Sequence, residues 1–323
     1  MLAVFAAAVN RDDPLSGLTI DDRPEPELPS ADWTTITVKA ASLNHHDLWS
    51  LRGVGLSEDR LPMILGCDAA GLDEDGNEVV AHSVIPDPDW HGDETLDPRR
   101  SLLSERHPGT FAQRVAIPRW NLLPKPPELT FEEAACLPTA WLTAYRMLFV
   151  RGGIVPGQTV LIQGATGGVA TALTVLGSAA GIRIWVTSRS EEKRAKALEL
   201  GADQAFESGG RLPERVDAVM ETIGEATWAH SVRSLKPGGT IVISGATTGY
   251  APPAELNRIF FLQLSVVGST MGTREELQRL IRLCVDKDVR PVIHATMPLQ
   301  EARDGFEAML AGETFGKIVF TSD

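Results

Sequence analysis

The sequence contains little cysteine and no long apolar run. Its three cysteines, Cys67, Cys136 and Cys284, lie far apart and are odd in number, which argues against a disulfide framework and is typical of a reducing compartment. The richest apolar stretch, 259–268, is well short of the ~18 residues that a membrane span needs. We therefore expect a cytoplasmic protein with no membrane partner.

Positive charge is also scarce. The chain has 30 Lys and Arg against 43 Asp and Glu, a formal net charge of -13, which repels nucleic acid backbones and anionic membrane surfaces. We therefore expect no nucleic acid partner. Hydrophobic residues make up 43% of the 323 residues, enough for about two domains with cores of their own. The apolar start, 1–9, lacks a basic segment, so we expect a first strand there and not a secretory signal.

The hydrophobic pattern changes near Thr130. Before it, short alternating segments such as 34–40 and 111–117 predict antiparallel β structure, and the polar, proline-containing segment 87–108 predicts a surface loop. Thr130 and Glu133 have the spacing of a capping box, which predicts a helix that continues to about residue 148.

From residue 159, strand and helix patterns alternate, as expected for a parallel sheet covered by helices. The predicted strands are 159–163, 183–187, 216–220, 240–244 and 262–267, and the predicted helices are 168–180 and 191–200. Later segments, predicted as helix 274–286, strand 291–294, helix 299–311 and strand 317–321, are expected to return to the first domain. We thus predict an α/β protein with one domain of residues 1–138 and 272–323 and another of residues 139–271.

A glycine-rich turn joins the strand at 159–163 to the following helix. Such a turn presents backbone amides and the positive end of a helix to a pyrophosphate. Alanines replace the outer glycines of the usual fingerprint, yet the position between strand and helix favours a dinucleotide over a plain structural turn. The residues predicted to bind it are Ala165, Thr166, Gly167, Gly168 and Val169.

The end of the next predicted strand indicates which dinucleotide. An acidic residue usually stands there to hold an adenosine 2′-hydroxyl, but this chain has Ser188, followed by Arg189 and, in the next helix, Lys193. A hydroxyl and two cations suit a 2′-phosphate, which a carboxylate would repel. We therefore predict NADPH as cofactor. The alternative is that both cations belong to an ordinary solvated helix face.

Together these motifs resemble the medium-chain dehydrogenase/reductase superfamily, which includes zinc alcohol dehydrogenases and quinone oxidoreductases. The resemblance covers nearly the whole chain and implies a GroES-like substrate domain, a doubly wound Rossmann domain and a homo-oligomer, dimer or tetramer. The segments that carry it are 42–49, 66–71, 109–112, 131–148, 161–181, 200–203, 235–239 and 316–320.

The chain departs from the family's zinc pattern. By the resemblance, the catalytic metal ligands fall at Asn44, Cys67 and Thr139, with Asp68 in place of the family's glutamate. No cysteine lies between Cys67 and Cys136, so a four-cysteine structural zinc lobe is missing too. Zinc needs three or four thiolate, imidazole or carboxylate ligands, so we predict no metal. A non-standard site built from His45 or His46 with Cys67 and Asp68 stays open.

Without a metal, hydride transfer suits an acceptor that is already conjugated, and a hydrogen-bond donor then stabilises the charge on its oxygen. Related reductases often use a tyrosine two residues after the aspartate matched by Asp47, but this chain has Trp49 there. The candidate catalytic residues are therefore His46, its neighbour His45, and Asn44 as an amide donor. A purely structural role for His46 is an equal alternative.

The resemblance also implies further cofactor contacts. Thr143 is expected beside the pyrophosphate or nicotinamide. Lys317, at the start of the last predicted strand, is expected to be a surface lysine, with contact to the cofactor as the alternative. The residues expected to line the nicotinamide pocket are Ser244, Gly245, Ala246, Ser269, Thr270 and Met271.

These observations predict an NADPH-dependent, zinc-independent oxidoreductase that transfers hydride to a small quinone or α,β-unsaturated carbonyl compound. Two alternatives remain from the residues alone. One is a zinc-dependent alcohol or aldehyde dehydrogenase with altered ligands. The other is a protein that binds NADPH without turnover.

Overall fold

The computed structural model describes residues 1–322 and divides into two units, each with its own core. One unit comprises residues 1–142 and those from 271 onward, and the other comprises residues 143–270. The predicted boundaries at 138/139 and 271/272 differ from these by four residues and one residue. No helix within residues 1–322 is long and apolar enough to cross a bilayer.

The elements are numbered in chain order. The strands are β1 (Leu2–Ala6), β2 (Leu18–Asp22), β3 (Trp33–Ser42), β4 (Met63–Ile64), β5 (Asp68–Leu72), β6 (Glu78–Ala81), β7 (Val84–Ile85), β8 (Ser101–Leu102), β9 (Arg114–Pro118), β10 (Leu122–Pro124), β11 (Thr159–Ile162), β12 (Arg183–Thr187), β13 (Gln204–Phe206), β14 (Val216–Glu221), β15 (Leu235–Ile243), β16 (Ser265–Gly268), β17 (Ile293–Pro298) and β18 (Lys317–Thr321). The α-helices are α1 (His45–Leu51), α2 (Phe131–Ala135), α3 (Leu142–Tyr145), α4 (Gly168–Ala179), α5 (Glu191–Glu199), α6 (Glu225–Ser234), α7 (Leu256–Phe261), α8 (Arg274–Asp286) and α9 (Ala302–Ala311).

Short helical turns complete the secondary structure. Those of 3₁₀ type are Pro14–Gly17, Glu58–Arg60, Glu94–Leu96, Arg119–Asn121 and Leu299–Glu301, and those of π type are Leu137–Trp141 and Arg146–Arg151.

The first unit is β-rich. Its larger sheet has the order β10-β6-β5-β3-β18-β17, with β9 also paired to β3, and a smaller sheet has the order β2-β1-β4. The last strand pairs antiparallel with β3, with Val319 opposite Ser42 and Thr321 opposite Ala40. The C-terminal strand is thus part of the larger sheet of the first unit.

Aromatic packing joins the two chain segments of this unit. Phe111 lies edge-on to Phe306 and Phe320, with ring centroids 6.1 and 5.0 Å apart, and Phe306 stacks on Phe320 at 6.3 Å. All three side chains are buried. Burial of each such ring contributes roughly 2–3 kcal/mol, so this cluster stabilises the contact between segments that are far apart in sequence.

The second unit is a parallel sheet with helices. Its six strands have the order β13-β12-β11-β14-β15-β16, all parallel, which is the order 3-2-1-4-5-6 of a doubly wound sheet. Buried apolar side chains such as Leu161, Trp185, Val219 and Ile241 form its core. The predicted parallel sheet is confirmed, although its edge strand β13 was not predicted.

Several predicted boundaries differ from the structure. The helix predicted from Thr130 does begin with the capping box: Thr130 Oγ1 accepts from Glu133 N at 3.2 Å, and Glu133 Oε2 accepts from Thr130 N at 2.9 Å. It then alternates between α and π geometry up to Arg151. The strand predicted at 262–267 begins only at Ser265, because the unpredicted helix α7 lies before it and is too short to show a helical period.

Two other segments also depart from expectation. The strand predicted at 291–294 is β17, Ile293–Pro298. The predicted loop 87–108 contains a 3₁₀ turn, the strand β8, and the buried residues Leu103 and Ser104. Buried and exposed residues follow one another in this segment without a fixed period. The sequence pattern therefore did not predict which of its residues pack in the interior.

Candidate active site

The predicted cofactor residues follow the carboxyl ends of parallel strands in the second unit. Residues 165–169 follow β11, Ser188 and Arg189 follow β12, residues 244–246 follow β15, and Ser269 and Thr270 follow β16. Because parallel strands end at the same edge of a sheet, the tertiary fold brings these segments to one side. That edge is where open α/β sheets bind ligands.

The turn after β11 has the shape that a phosphate group requires. Gly164 has a φ of +91°, which L-residues with side chains rarely adopt. A Cβ placed on Gly167 would meet no atom within 4 Å, so open space lies in front of the backbone there. Gly167 is also the N-cap of α4 and has no side chain to cap the helix. The first amides of α4 therefore face a space that fits a dinucleotide phosphate.

The end of β12 is suited to a second anionic group. Ser188 is half-buried and Arg189 is exposed, and Lys193 lies one turn into α5. Arg194, which the sequence analysis did not single out, donates from Nη1 to the Ser188 carbonyl at 2.7 Å. Three cationic side chains thus belong to this turn and the first turns of α5.

The segments expected at the nicotinamide are partly buried. Ser269 N donates to Ile243 O at 2.8 Å, which ties the end of β16 to that of β15. The Ser269 hydroxyl is buried and has no hydrogen-bond partner, so it has unused capacity toward a ligand. Thr143 lies in α3 and is buried. Met271 is the first residue of the returning segment, in left-handed conformation with a φ of +47°.

The candidate catalytic residues lie in the first unit, where β3 leads into α1. His45 and His46 are the first two residues of α1, and Asn44 is its N-cap. Asp47 is buried, and its Oδ2 and Oδ1 accept from Asn44 N at 2.8 Å and from Gly66 N at 3.0 Å. These two bonds fix the start of α1 against the segment between β4 and β5.

The two histidines have different surroundings. His46 Nε2 lies 3.7 Å from Glu105 Oε1, a carboxylate that comes from the predicted loop 87–108 and that the sequence analysis missed. His45 is exposed, yet partial desolvation and then the positive charges of Lys317 and Arg52 lower its pKa. His46 thus lies beside a carboxylate, whereas the surroundings of His45 disfavour its charged form.

Asn44 is not free to act as the predicted donor. Its Nδ2 donates to Asp68 Oδ2 at 2.8 Å and to Ser42 O at 3.2 Å, so both amide hydrogens are used inside the protein. The geometry thus favours a structural role for its side chain over a bond to substrate.

The prediction that Lys317 is a surface lysine was wrong. Its side chain is only 2% exposed, and Nζ donates to Leu43 O and to Asn44 Oδ1, both at 2.6 Å. Nζ also lies 3.7 Å from Asp68 Oδ2. The residue opens β18, which inserts beside β3, and this long-range pairing draws the ammonium into the interior. We call these residues the Asn44–Asp68–Lys317 cluster.

The residues at the family's zinc positions do not fit zinc. The Asn44 oxygen already accepts from an ammonium, whose positive charge opposes a second cation. The Cys67 thiol is buried and donates to Leu103 O at 3.5 Å, so it is engaged within the protein. Thr139, at the third position, offers only a hydroxyl. Within residues 1–322, no three His, Cys, Asp or Glu side chains form a group suited to a metal, and this includes His45, His46, Cys67 and Asp68.

Comparison with known proteins agrees with this architecture. Residues 168–286 match the zinc-binding dehydrogenase family. The chain is 30% identical to zinc-type alcohol dehydrogenase-like protein YogA of Leptosphaeria maculans, over 90% of this chain and 91% of that protein. It is 28% identical to acryloyl-coenzyme A reductase of Sulfurisphaera tokodaii, over 95% and 97%. A crystal structure of an NAD-dependent alcohol dehydrogenase superposes with a TM-score of 0.92 at 32% identity and covers both chains fully.

The chain therefore belongs to the medium-chain dehydrogenase/reductase superfamily. The β-rich unit is its GroES-like domain and the doubly wound unit its Rossmann domain, as the sequence predicted. The predicted enzyme class, an oxidoreductase, is confirmed as well.

Burial of Asp47 generates a pH prediction. Burial raises the pKa of Asp47 to about 6, although His46 acts in the opposite direction. The folded state therefore binds a proton more tightly than the unfolded state, and this contribution to stability is lost as pH rises from about 4 to about 6. We compare the free energy of unfolding of wild type with that of Asp47→Asn. Between pH 4 and pH 6, the difference between wild type and variant should fall by about 2 kcal/mol. Urea unfolding of both proteins at several pH values measures it, and parallel curves would contradict it.

The residues at the family's zinc-ligand positions lead to a second prediction. Since Asn44 and the Cys67 thiol are engaged in hydrogen bonds within the protein, we expect the purified protein to carry no stoichiometric zinc. Native mass spectrometry should show the metal-free mass, and the melting temperature should not change with a chelator. An authentic zinc dehydrogenase treated in parallel serves as the control. One equivalent of zinc, with a melting temperature that drops on chelation, would show the assignment to be incorrect.

Proposed function

We propose that this protein is an NADPH-dependent, zinc-independent reductase of α,β-unsaturated carbonyl compounds, with an enoyl thioester as its preferred substrate class. The observation that carries the proposal is the Asn44–Asp68–Lys317 cluster, in which Asn44, at one of the family's metal-ligand positions, accepts from the Lys317 ammonium and donates to Asp68. A conjugated acceptor needs no metal to polarise an isolated carbonyl, because its β-carbon is already electrophilic. The similarity to an acryloyl-coenzyme A reductase supports a thioester over a quinone.

The chain's own residues account for binding and proton transfer in this proposal. When bound, the dinucleotide supplies the hydride that adds to the β-carbon. The amides at the start of α4 hold its pyrophosphate, and Ser188, Arg189, Lys193 and Arg194 hold the 2′-phosphate. His46, whose Nε2 lies 3.7 Å from Glu105 Oε1, then gives a proton to the α-carbon of the resulting enolate and regains one from solvent.

One experiment separates the candidate activities. Purified protein is mixed with NADPH and a short-chain enoyl-CoA, a soluble quinone, or, in reverse, NADP⁺ and a primary alcohol, and absorbance of the reduced nicotinamide is followed. We expect the thioester to give the highest kcat/KM. Turnover of the alcohol alone would overturn the proposal in favour of an alcohol dehydrogenase. Binding of NADPH with no turnover of any of the three would favour a non-catalytic NADPH-binding protein.

Arg189 should decide between NADPH and NADH. Arg189→Asp removes a cation from the end of β12 and adds a charge that repels a 2′-phosphate but accepts from a 2′-hydroxyl. We expect the ratio of kcat/KM for NADPH to that for NADH to fall by about 100-fold, since a charge-assisted hydrogen bond contributes ~1.5–3 kcal/mol. Arg282→Asp makes the same charge change on exposed surface of the first unit and should leave the ratio unchanged. An unchanged ratio in Arg189→Asp would remove this residue from the phosphate site.

His46 should affect turnover more than cofactor binding. Replacing it with alanine removes the proposed acid but leaves the dinucleotide turn intact, so kcat should fall about 100-fold while the Kd for NADPH changes little. His91→Ala, at an exposed histidine, is the matched control. If His46→Ala turns over at the wild-type rate at every pH, His46 has no part in the chemistry.

A homo-oligomer is also part of the proposal. β16 is an edge strand, and beside it α7 exposes Leu256, Phe260 and Phe261, with exposed fractions of 69%, 67% and 79%. An open edge next to exposed aromatic rings supports pairing with a second copy of this chain. Phe261→Glu should therefore shift sedimentation from dimer or tetramer toward monomer, whereas Val155→Glu, another exposed apolar site of this unit, should not. Monomeric wild type at micromolar concentration would contradict this assembly.

A further inference from the structure

Lys317 is an unusual residue for the interior of a protein. Its side chain is 2% exposed and the neighbouring Asp68 side chain is fully buried. Burial of a charged group is costly unless partners offset the lost hydration. Here two oxygens accept from Nζ at 2.6 Å, and a carboxylate oxygen lies at 3.7 Å. Such complete partnering indicates that the ammonium has a defined place in the site.

We propose that Lys317 is a positioning residue of the reductase, whose ammonium fixes the Asn44 side chain and thereby the start of α1 that carries His45 and His46. The expected effect of Lys317 on turnover rests on the proposed function, because it requires that the placement of α1 matters for catalysis by the reductase. Its structural part, the control of α1 by Lys317, stands apart from which substrate the enzyme reduces.

A continuous set of contacts carries the effect from Lys317 to α1. Nζ holds Asn44 Oδ1, and the other end of the same amide donates to Asp68 Oδ2 at 2.8 Å. The Asn44 backbone N–H donates to Asp47 Oδ2 at 2.8 Å, and Asp47 Oδ1 accepts from Gly66 N at 3.0 Å. The N-cap, the third residue of α1 and the segment before β5 are thus linked to the start of β18.

The nature of the tie explains why the site needs no exchangeable ion. A metal held at Asn44 and Cys67 would link the start of α1 to the segment before β5, and removing the metal would release both. The lysine ammonium is attached covalently to β18, and its charge already faces an amide oxygen, a carbonyl oxygen and a carboxylate. The tie is therefore present in every folded molecule.

A simpler role for Lys317 is to balance the negative charge of Asp68. Ser42 Oγ and Asn44 Nδ2 both donate to Asp68 Oδ2 at 2.8 Å, so these hydrogen bonds could hold Asn44 without the ammonium. If balance is the whole role, removing both charges together should restore everything. If Lys317 positions Asn44, neutralising Asp68 as well should restore stability but not the placement of α1, because Asn44 Oδ1 still lacks its donor.

The experiment compares Lys317→Met, the double variant Lys317→Met with Asp68→Asn, and Lys317→Arg. Lys287→Met, an exposed lysine of the same unit, is the matched control. Three quantities are measured: the melting temperature, hydrogen exchange of the Asn44, Asp47 and Gly66 amides, and kcat and KM for NADPH with an enoyl-CoA.

We expect Lys317→Met to speed exchange at these amides relative to the core strand β11 and to lower kcat about 10- to 100-fold, with KM for NADPH nearly unchanged. The double variant should regain much of the melting temperature but neither slow exchange nor kcat. Lys317→Arg, which keeps a positively charged hydrogen-bond donor, should regain part of the slow exchange and part of kcat.

Two outcomes would overturn the inference. One is recovery of slow exchange and kcat in the double variant, which would reduce Lys317 to charge balance. The other is unchanged exchange at the Asn44, Asp47 and Gly66 amides when Lys317 is replaced. Wild type that reduces none of the substrates would defeat the proposed function, whereas the exchange measurements would still decide the role of Lys317. If Lys317→Met does not fold, the double variant and Lys317→Arg supply the same comparison.

Discussion

The first unit depends on compensating one buried positive charge. Lys317 enters the interior only because Leu43, Asn44 and Asp68 offer oxygens at the place where β18 meets β3 and the start of β5. An ammonium without these partners would cost several kcal/mol, so the pairing of the C-terminal strand and the conformation around Asn44 are mutually dependent. The aromatic cluster of Phe111, Phe306 and Phe320 joins the same two segments through apolar contact.

The same cluster supports the proposal that this member of a superfamily with zinc enzymes works without zinc. Metal ligands must present unprotonated, unoccupied donor atoms, and two of the three residues at the family's ligand positions, Asn44 and Cys67, are already engaged within the protein. Asn44 uses both amide hydrogens and its oxygen, and Cys67 donates to Leu103 O. In the proposed function, His46 beside Glu105 gives a proton to an acceptor that is electrophilic by itself.

The second unit divides its tasks between backbone and side chains. The turn around Gly167 and the first amides of α4 suit a pyrophosphate through the main chain, which ties this capacity to the fold. In the proposed function, discrimination between dinucleotides depends on a few side chains after β12, where Ser188 and Arg189 stand at the end of the strand. These side chains are partly or fully exposed, so substituting them should alter cofactor selectivity with little effect on the stability of the sheet.

The sequence by itself determined the doubly wound sheet, the phosphate turn and the candidate histidines. These features depend on local patterns: buried strands of four to six residues, glycines between strand and helix, and a capping box at Thr130. Tertiary structure alone decided that Lys317 is buried, that the Asn44 amide is used internally, and that Glu105 stands beside His46. Each depends on residues far apart in the chain, 273 positions in the case of Lys317 and Asn44, and no local period records such contacts.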